Sequence, residues 1–279
     1  VASPEEWQTF LAQQKAAGEL NKSAKAAADK LNNLIRDMSV IPTKDKAAAQ
    51  IEEISTLLGQ LREKWEPTPL VARYTMPATH QTSGYSSPTP VTDGQFVWVL
   101  FGNGVAACYA LDGQRKWIRL VDRPSHEWGH SASLVLAEGK LVAAVKDVHG
   151  LNPATGEELW KVPSAPHFGS PVAAKVGDRT LVLTTNGELI NAADGAVVTQ
   201  KLGAGAFNCP LIADGMLCFF NEGKAWAWKT PEAGGSNTIV RAWETKVVGA
   251  RHYASPVCHD GVLYGLADGG TLTLLDIKT

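Results

Sequence analysis

Two patterns of apolar and polar residues follow one another along the chain and divide it into two regions. In residues 20–38 and 47–65, apolar side chains recur at steps of three and four, the spacing that places them along one side of a helix. The apolar positions are Leu20, Ala24, Ala27, Leu31, Leu34 and Met38, then Ala47, Ile51, Ile54, Leu58, Leu61 and Trp65. Residues 39–43 interrupt this pattern with Pro42, so we predict an antiparallel helical hairpin over residues 1–66.

Beyond residue 66 the apolar residues come in short runs that end at turn glycines. These glycines are spaced by 45, 38, 38 and 46 residues, and they are Gly94, Gly139, Gly177, Gly215 and Gly261. The Asp-Gly pairs at 93–94, 214–215 and 260–261 are typical of two-residue β-hairpin turns. Four short strands in about 42 residues are typical of one blade of a β-propeller.

A second motif repeats with the same period: an aromatic residue, a small or polar residue, Ser or Cys, and Pro. Its copies are Tyr85-Ser86-Ser87-Pro88, Phe168-Gly169-Ser170-Pro171, Phe207-Asn208-Cys209-Pro210 and Tyr253-Ala254-Ser255-Pro256, with a degenerate copy at 129–133. We therefore predict a mainly β fold whose second domain, 67–279, has about five four-stranded blades. The predicted blades lie near 85–120, 128–163, 167–202, 206–246 and 252–279. A large residue at a fixed place in each blade packs on the next blade, and Trp117, Trp160 and Trp243 are the candidates.

Composition and charge narrow the function classes. The 279 residues include 26 Lys and Arg against 28 Asp and Glu, a net charge of -2, which argues against nucleic acid as a partner. The apolar runs are too short for a transmembrane helix, so no transmembrane segment is expected. The four cysteines lack C-x-x-C spacing, and in an oxidising compartment they permit disulfides without requiring them. Residue 1 is Val and no leader follows it, which indicates a processed or trimmed N-terminus; a cleaved export signal is one explanation.

The aromatic-x-Ser-Pro motif, the Asp-Gly turns and the segment LNPATGEELW at 151–160 resemble the repeat of pyrroloquinoline-quinone (PQQ)-like propellers. That family includes the quinoprotein alcohol dehydrogenases and the non-catalytic propeller lipoprotein of the outer-membrane protein assembly machinery. The resemblance covers residues 70–279 and implies seven or eight blades in a periplasmic or secreted protein. Because the chain offers only five, we expect an incomplete ring that stops inside its fifth blade, with residues 73–77 as an outer strand of the last blade.

The resemblance also implies what a catalytic member would carry. Those enzymes would have an adjacent Cys-Cys pair on the cofactor, a Ca²⁺ ion held by acidic and amide side chains, and an Asp base. No Cys-Cys pair occurs and no match to the calcium set is found. We therefore expect no cofactor, neither PQQ nor Ca²⁺, and no catalytic residues. A quinone- or metal-dependent oxidoreductase, with a cofactor in the propeller channel, is the alternative.

Histidines mark a candidate binding site at the mouth of the channel. His167 and His252 directly precede the aromatic residue of a motif, and His130 lies near the same place in the degenerate copy. One interpretation is that these histidines, with Arg251 and Trp128 beside them, form a ligand or metal site. The alternative is that they cap the strand starts by hydrogen-bonding to the backbone of the loops.

These observations predict an extracytoplasmic, non-catalytic propeller that acts as a protein-binding scaffold or as a ligand-binding module. Its contacts with a partner protein or a larger assembly would come from residues 1–66 and from propeller loops such as 231–238. The helical hairpin itself is either such a docking arm or a packing appendage without a ligand.

Overall fold

A computed structural model of the chain describes residues 77–279, except 83, 204, 206 and 232–237, together with three isolated helical positions at Ala12, Glu52 and Thr56. The chain divides into two compact units, 1–76 and 77–279. The helical hairpin predicted over 1–66 and its boundary at residue 66 lie outside the described residues. The outer strand predicted at 73–77 lies there too, except for Pro77, which is not in a strand.

Residues 91–276 form five antiparallel sheets in chain order, which we call blades 1 to 5. Blades 1 to 4 have four strands each and blade 5 has three, and within each blade consecutive strands are hydrogen-bonded neighbours. Blade 1 contains β1 (Val91–Thr92), β2 (Phe96–Leu100), β3 (Val105–Ala110) and β4 (Arg115–Leu120). Blade 2 contains β5 (Val135–Ala137), β6 (Lys140–Ala144), β7 (Val148–Leu151) and β8 (Glu158–Val162).

The later blades repeat this order. Blade 3 contains β9 (Val172–Val176), β10 (Arg179–Leu183), β11 (Leu189–Asn191) and β12 (Val197–Thr199). Blade 4 contains β13 (Leu211–Ala213), β14 (Met216–Asn221), β15 (Lys224–Lys229) and β16 (Arg241–Lys246). Blade 5 contains β17 (Val257–His259), β18 (Val262–Leu266) and β19 (Leu272–Asp276).

Neighbouring blades meet through their first strands. Strand β5 contacts β9, β9 contacts β13, and β13 contacts β17, so the first strand of each blade is the innermost one. The predicted mainly β fold of propeller-type blades is thereby confirmed. The incomplete ring stays a prediction.

The second strand of each blade is apolar on both faces because both faces are buried. In β6, Leu141 and Ala143 pack with blade 1, whereas Val142 and Ala144 pack with blade 3. The same alternation divides β14, where Phe219 packs with blade 3 and Phe220 packs with blade 5. Successive side chains of a strand point to opposite faces, so one strand contributes to two hydrophobic cores.

The first hairpin of each blade shows how the turn residues act. Asp214-Gly215 and Asp260-Gly261 form the predicted two-residue turns, with positive φ at both residues. The same prediction is wrong for Asp93-Gly94, because Thr92 pairs with Val97 and leaves a longer connection. There the Asp93 carboxylate accepts backbone N–H groups of Gln95 and Phe96, which opens the turn.

Tryptophan side chains of the outer strands lie on the turns of the following blade. The indole N–H of Trp117 donates to the Pro153 carbonyl, that of Trp160 to Ala192, and that of Trp243 to Ile277. The indole of Trp160 also lies against Gly195, where a Cβ would come within 2.8 Å of the ring. A Cβ at Gly156 would likewise come within 2.8 Å of the Trp117 ring.

The Ser or Cys of the repeated motif links each blade to the one before it. The backbone N–H of Thr89 donates to Ser133 Oγ at 2.9 Å, and that of Ser133 donates to Ser170 Oγ at 2.8 Å. The N–H of Ser170 donates to Cys209 Sγ at 3.2 Å, and that of Cys209 to Ser255 Oγ at 3.0 Å. We call this series the interblade relay, and it ties five blades together along their inner strands.

We predict that Gly195→Ala destabilises the fold more than Gly113→Ala does. Both glycines follow an aspartate in a turn and have positive φ, but the space beside Gly113 is open. Gly113→Ala therefore costs only the strained backbone, about 1 kcal/mol, while Gly195→Ala also displaces Trp160 and costs about 1–3 kcal/mol more. Urea unfolding of both variants measures the difference, and equal losses would contradict the role of this contact.

We also predict that Ser170→Ala lowers the free energy of unfolding by about 1 kcal/mol, because the Ser133 N–H loses its acceptor. Ser170→Cys, which copies the residue found at Cys209, should lose less. Ser125→Ala, at an exposed position, is the control and should stay within about 0.5 kcal/mol of the parent chain. Thermal and urea denaturation measure these changes, and a Ser170→Ala variant as stable as the control would disprove the relay's contribution.

Candidate functional site

The repeated motif places a row of aromatic rings at one end of the inner strands. Trp128, Phe168, Phe207 and Tyr253 come from blades 2, 3, 4 and 5 in turn, and we call them the aromatic arc. Ring centroids are 6.1 Å apart between Trp128 and Phe168, 5.9 Å between Phe168 and Phe207, and 4.9 Å between Phe207 and Tyr253. These separations are those of interacting aromatic pairs, so the arc is a continuous surface across four blades.

The two ends of the arc are open to solvent. Trp128 is 54% exposed and Tyr253 is 51% exposed, while Phe168 and Phe207 between them are half-buried. The exposed imidazole of His126 packs edge-on against Phe168, with 4.7 Å between ring centroids. Apolar side chains that form a contiguous exposed patch, and not isolated ones, are typical of a contact surface.

Backbone and side-chain bonds fix the arc in place. Asn208, buried beside Phe207, donates through Nδ2 to the carbonyls of Phe220 and His252 and so joins blade 4 to blade 5. Ser131 Oγ donates to the Phe168 carbonyl and joins blade 2 to blade 3. The rings of Phe168 and Phe207 are therefore held next to hydrogen-bonded strand starts.

Blade 2 builds its part of the arc differently from the others, as its degenerate motif indicates. The interblade relay aligns Ser133 with Ser170, which puts Ser131 where the other copies have an aromatic residue. Trp128, from the preceding loop, supplies the ring instead. Its carbonyl accepts the N–H of His80, so the 77–84 segment supports this loop.

The three histidines of the predicted site share one register but do not share one environment. His130, His167 and His252 each lie three residues before the relay residue of their blade. His130 is 6% exposed and His252 is 2% exposed, whereas His167 is exposed. The Nε2–H of His130 donates to the Ala132 carbonyl, as the strand-capping alternative predicts for a histidine at this place.

Burial sets the protonation of the two inner histidines. Desolvation lowers the pKa of His130 to about 4, against a smaller opposing effect of its bond to Ala132. Desolvation also lowers the pKa of His252, and nearby Asp268 partly offsets it. Both ring nitrogens of His252 are buried without a hydrogen-bond partner, and its ring packs on Phe220. Both rings are thus neutral at pH 7.

Arg251 lies at the blade 5 end of the aromatic arc. Its guanidinium is exposed and donates to the Tyr253 hydroxyl at 3.1 Å, and its carbonyl accepts the Asp268 N–H. The structure thus places Arg251, Trp128 and the exposed His167 at the surface of one end of the propeller. Binding at these residues stays a prediction.

A cluster of charged side chains around the buried His149, between blade 2 and the connection that precedes it, was not predicted from the sequence. His149 Nδ1 lies 2.8 Å from Glu158 and Nε2 lies 3.3 Å from Asp122. Lys161 pairs with Asp122 at 3.5 Å and with Asp147 at 2.9 Å. Asp122 belongs to the connection between the blades, so the cluster ties that connection to blade 2. No short-range spacing signals it, because its members meet only across strands.

Three further findings concern the described residues only. None of their His, Cys, Asp and Glu side chains forms a group of three or more that is placed to hold a metal ion. All four cysteines are free thiols, two of them buried. Within residues 77–279 and the three isolated positions, no helix has the length and hydropathy needed to cross a lipid bilayer.

Comparison with known proteins agrees with this geometry. Residues 144–279 match the family model PQQ_2, described as outer membrane protein assembly factor BamB. The PQQ-like repeat that the sequence resembles, close to the outer-membrane-assembly members, is thereby confirmed. No curated protein matches the chain.

Solved structures show the same fold at low sequence identity. BamB from Moraxella catarrhalis is 13% identical, with a TM-score of 0.54 over 69% of this chain and 62% of that one. The computationally designed Ika8 protein is 14% identical, with a TM-score of 0.50 over 67% of this chain and 57% of that one. The chain therefore spans about three fifths of the length of these structures. In all, 538 solved chains match, so the fold by itself does not define a function.

We predict that acid destabilises the fold through His130. Its pKa is about 6.5 in the unfolded chain and about 4 in the fold, so below pH 6.5 the unfolded chain binds the proton first. Above pH 6.5, His130 is neutral in both states and does not lower the free energy of unfolding. Between pH 6.5 and 4, that free energy falls by up to about 1.4 kcal/mol per pH unit.

Urea unfolding between pH 7 and 4.5 measures this loss. His130→Gln keeps an amide donor but cannot titrate, so its stability should fall less steeply with acidification. His167→Gln is the matched control because His167 is exposed, and it should follow the parent chain. If His130→Gln shows the parent's slope, His130 is not the acid-sensitive group.

Proposed function

We propose that this chain is part of a non-catalytic β-propeller scaffold that acts outside the cytoplasm and binds a partner protein through the aromatic arc. The observation that carries this proposal is the arc itself: four rings from four consecutive blades in mutual contact, with Trp128 and Tyr253 half exposed at its ends.

The arc has the chemistry of a protein contact surface. Aromatic residues supply a large contact area with few rotatable bonds, which is why they are enriched where proteins bind. The guanidinium of Arg251 and the imidazoles of His126 and His167 add polar groups at the rim. Because the strand starts are hydrogen-bonded to one another, the surface is preorganised and little conformational entropy is lost on binding.

The comparisons support the same class of function. The matched family model is described as an outer membrane protein assembly factor, and the structural neighbour from Moraxella catarrhalis is a BamB. An assembly factor works by contacting other proteins, and an outer-membrane process takes place outside the cytoplasm. By analogy we assign this chain an extracytoplasmic place and a partner in a larger assembly.

Two other roles rank below this one. A small-ligand module would use the channel mouth, where His252 has two unpartnered ring nitrogens, but His252 itself is buried. The quinone- or metal-dependent oxidoreductase is not favoured by the matched family model, whose description concerns assembly. The proposal also includes a docking role for residues 1–66. We expect these residues to contribute to partner binding in addition to the aromatic arc.

Site-specific photocrosslinking tests this proposal. A photoreactive phenylalanine analogue is placed at Tyr253 or Trp128 of the natural protein in its own cells. Both positions should give a covalent adduct with the same partner protein, identified by mass spectrometry. The control position is Leu159, which is 50% exposed but lies on outer strand β8 away from the arc. Adducts at Leu159 alone, or none at the arc, would rule out the arc as the binding surface.

A further inference from the structure

A groove opens between blades 1 and 2 at the end of the inner strands that lies away from the aromatic arc. Its volume is about 390 Å³. The first hairpin of blade 1 forms one side, and two hairpins of blade 2 form the other. Its lining residues are Asp93, Phe96, Trp98, Leu136, Ala137, Glu138, Gly139, Pro153 and Ala154.

The floor of the groove is apolar and is tied to both blades by hydrogen bonds. The indole N–H groups of Trp98 and Trp117 both donate to the Pro153 carbonyl, each at 2.8 Å. Phe96 packs on Trp98 with 6.0 Å between ring centroids, and both Phe96 and Leu136 keep part of their surface exposed. Two blades therefore hold the floor in a fixed shape.

The charged groups that line the groove are all carboxylates. Backbone N–H groups of Phe96 and Gln95 hold the pKa of Asp93 below its usual value, so Asp93 is ionised at neutral pH. Glu138 accepts one bond, from the Thr180 N–H at 3.3 Å, which leaves its other oxygen available. The ion pairs found among the described residues involve other carboxylates.

Acidic residues also lie at the other hairpin tips of this face, with the basic residues Lys140 and Arg179 in the same hairpins. Each of the five blades has one exposed acidic residue at the tip of its first hairpin: Asp93, Glu138, Asp178, Asp214 and Asp260. The inner strands of neighbouring blades are in contact, so these tips follow one another around the same end of the propeller. Within the groove itself, the carboxylates of Asp93 and Glu138 attract a cationic group.

We propose that this groove binds an arginine side chain, presented between apolar residues by a partner protein. The aliphatic stem would lie along Phe96 and Leu136, and the guanidinium would lie between Asp93 and Glu138. Arginine fits better than lysine because its planar cation stacks on aromatic rings and bonds carboxylates in pairs. This inference rests on the proposed function in one respect, that the partner is a protein. The groove is a different surface from the aromatic arc.

The test is a peptide titration followed by NMR on the full chain. The probe is acetyl-Leu-Arg-Leu-amide, and its matched control replaces arginine with citrulline, which has nearly the same shape without the charge. We expect the arginine peptide to shift the indole N–H signals of Trp98 and Trp117, which are assigned with Trp98→Phe and Trp117→Phe. The citrulline peptide should bind about tenfold more weakly.

Variants of the carboxylates locate the site. Asp93→Asn keeps an oxygen for the turn N–H groups, and Glu138→Gln keeps the shape, so each should fold and weaken binding of the arginine peptide by about tenfold. Asp178→Asn, at a hairpin tip outside the groove, should bind like the parent chain. Equal affinity for the two peptides, or equal losses in all three variants, would overturn the proposal. Crosslinking at the aromatic arc does not depend on the groove, so the two proposals fail separately.

Discussion

The structure depends on one constraint: each blade is a single sheet with two apolar faces, and both must be covered by its neighbours. Strand β6 shows it directly, since alternate side chains enter the cores on either side of blade 2. Burial of this kind is favourable but not directional, so it does not by itself fix how two sheets are positioned. Two sets of directional contacts fix the position of neighbouring blades. The Trp contacts with the glycine turns do so at the outer edge of the blades, and the interblade relay does so near the centre.

The same constraint gives the two ends of the propeller different chemistry. The motif begins each inner strand, so its aromatic residue comes to the same end in blades 3, 4 and 5, and the rings meet. The first hairpin ends that strand and carries an acidic residue to the opposite end. A repeated sequence on a radial fold thus places a row of aromatic rings at one end and a row of acidic hairpin tips at the other.

Much of this was predictable from the sequence because the relevant signals are local and repeated. The blade period, the turn pairs at 214–215 and 260–261, and the shared register of three histidines all follow from spacing along the chain. The opened turn at Asp93 was not predicted, because it depends on which backbone groups the carboxylate reaches. The different burial of His130 and His167 was also beyond the sequence, since it depends on how neighbouring loops pack. The cluster around His149 joins blade 2 to Asp122 in the connection before it, and no pattern in one strand indicates it.

At the junction of blades 3 and 4, the tryptophan side chains donate to the preceding blade, whereas Trp117, Trp160 and Trp243 donate to the following one. Blade 3 has no tryptophan on β12, and instead Trp226 and Trp228 of blade 4 both donate to the Leu202 carbonyl behind them. The relay also crosses this junction through the sulfur of Cys209, a weaker acceptor than a hydroxyl oxygen. Blades 3 and 4 are consequently not interchangeable modules. An engineered shuffle that separated blades 3 and 4 would need another backbone carbonyl in the place of Leu202 to accept from this tryptophan pair.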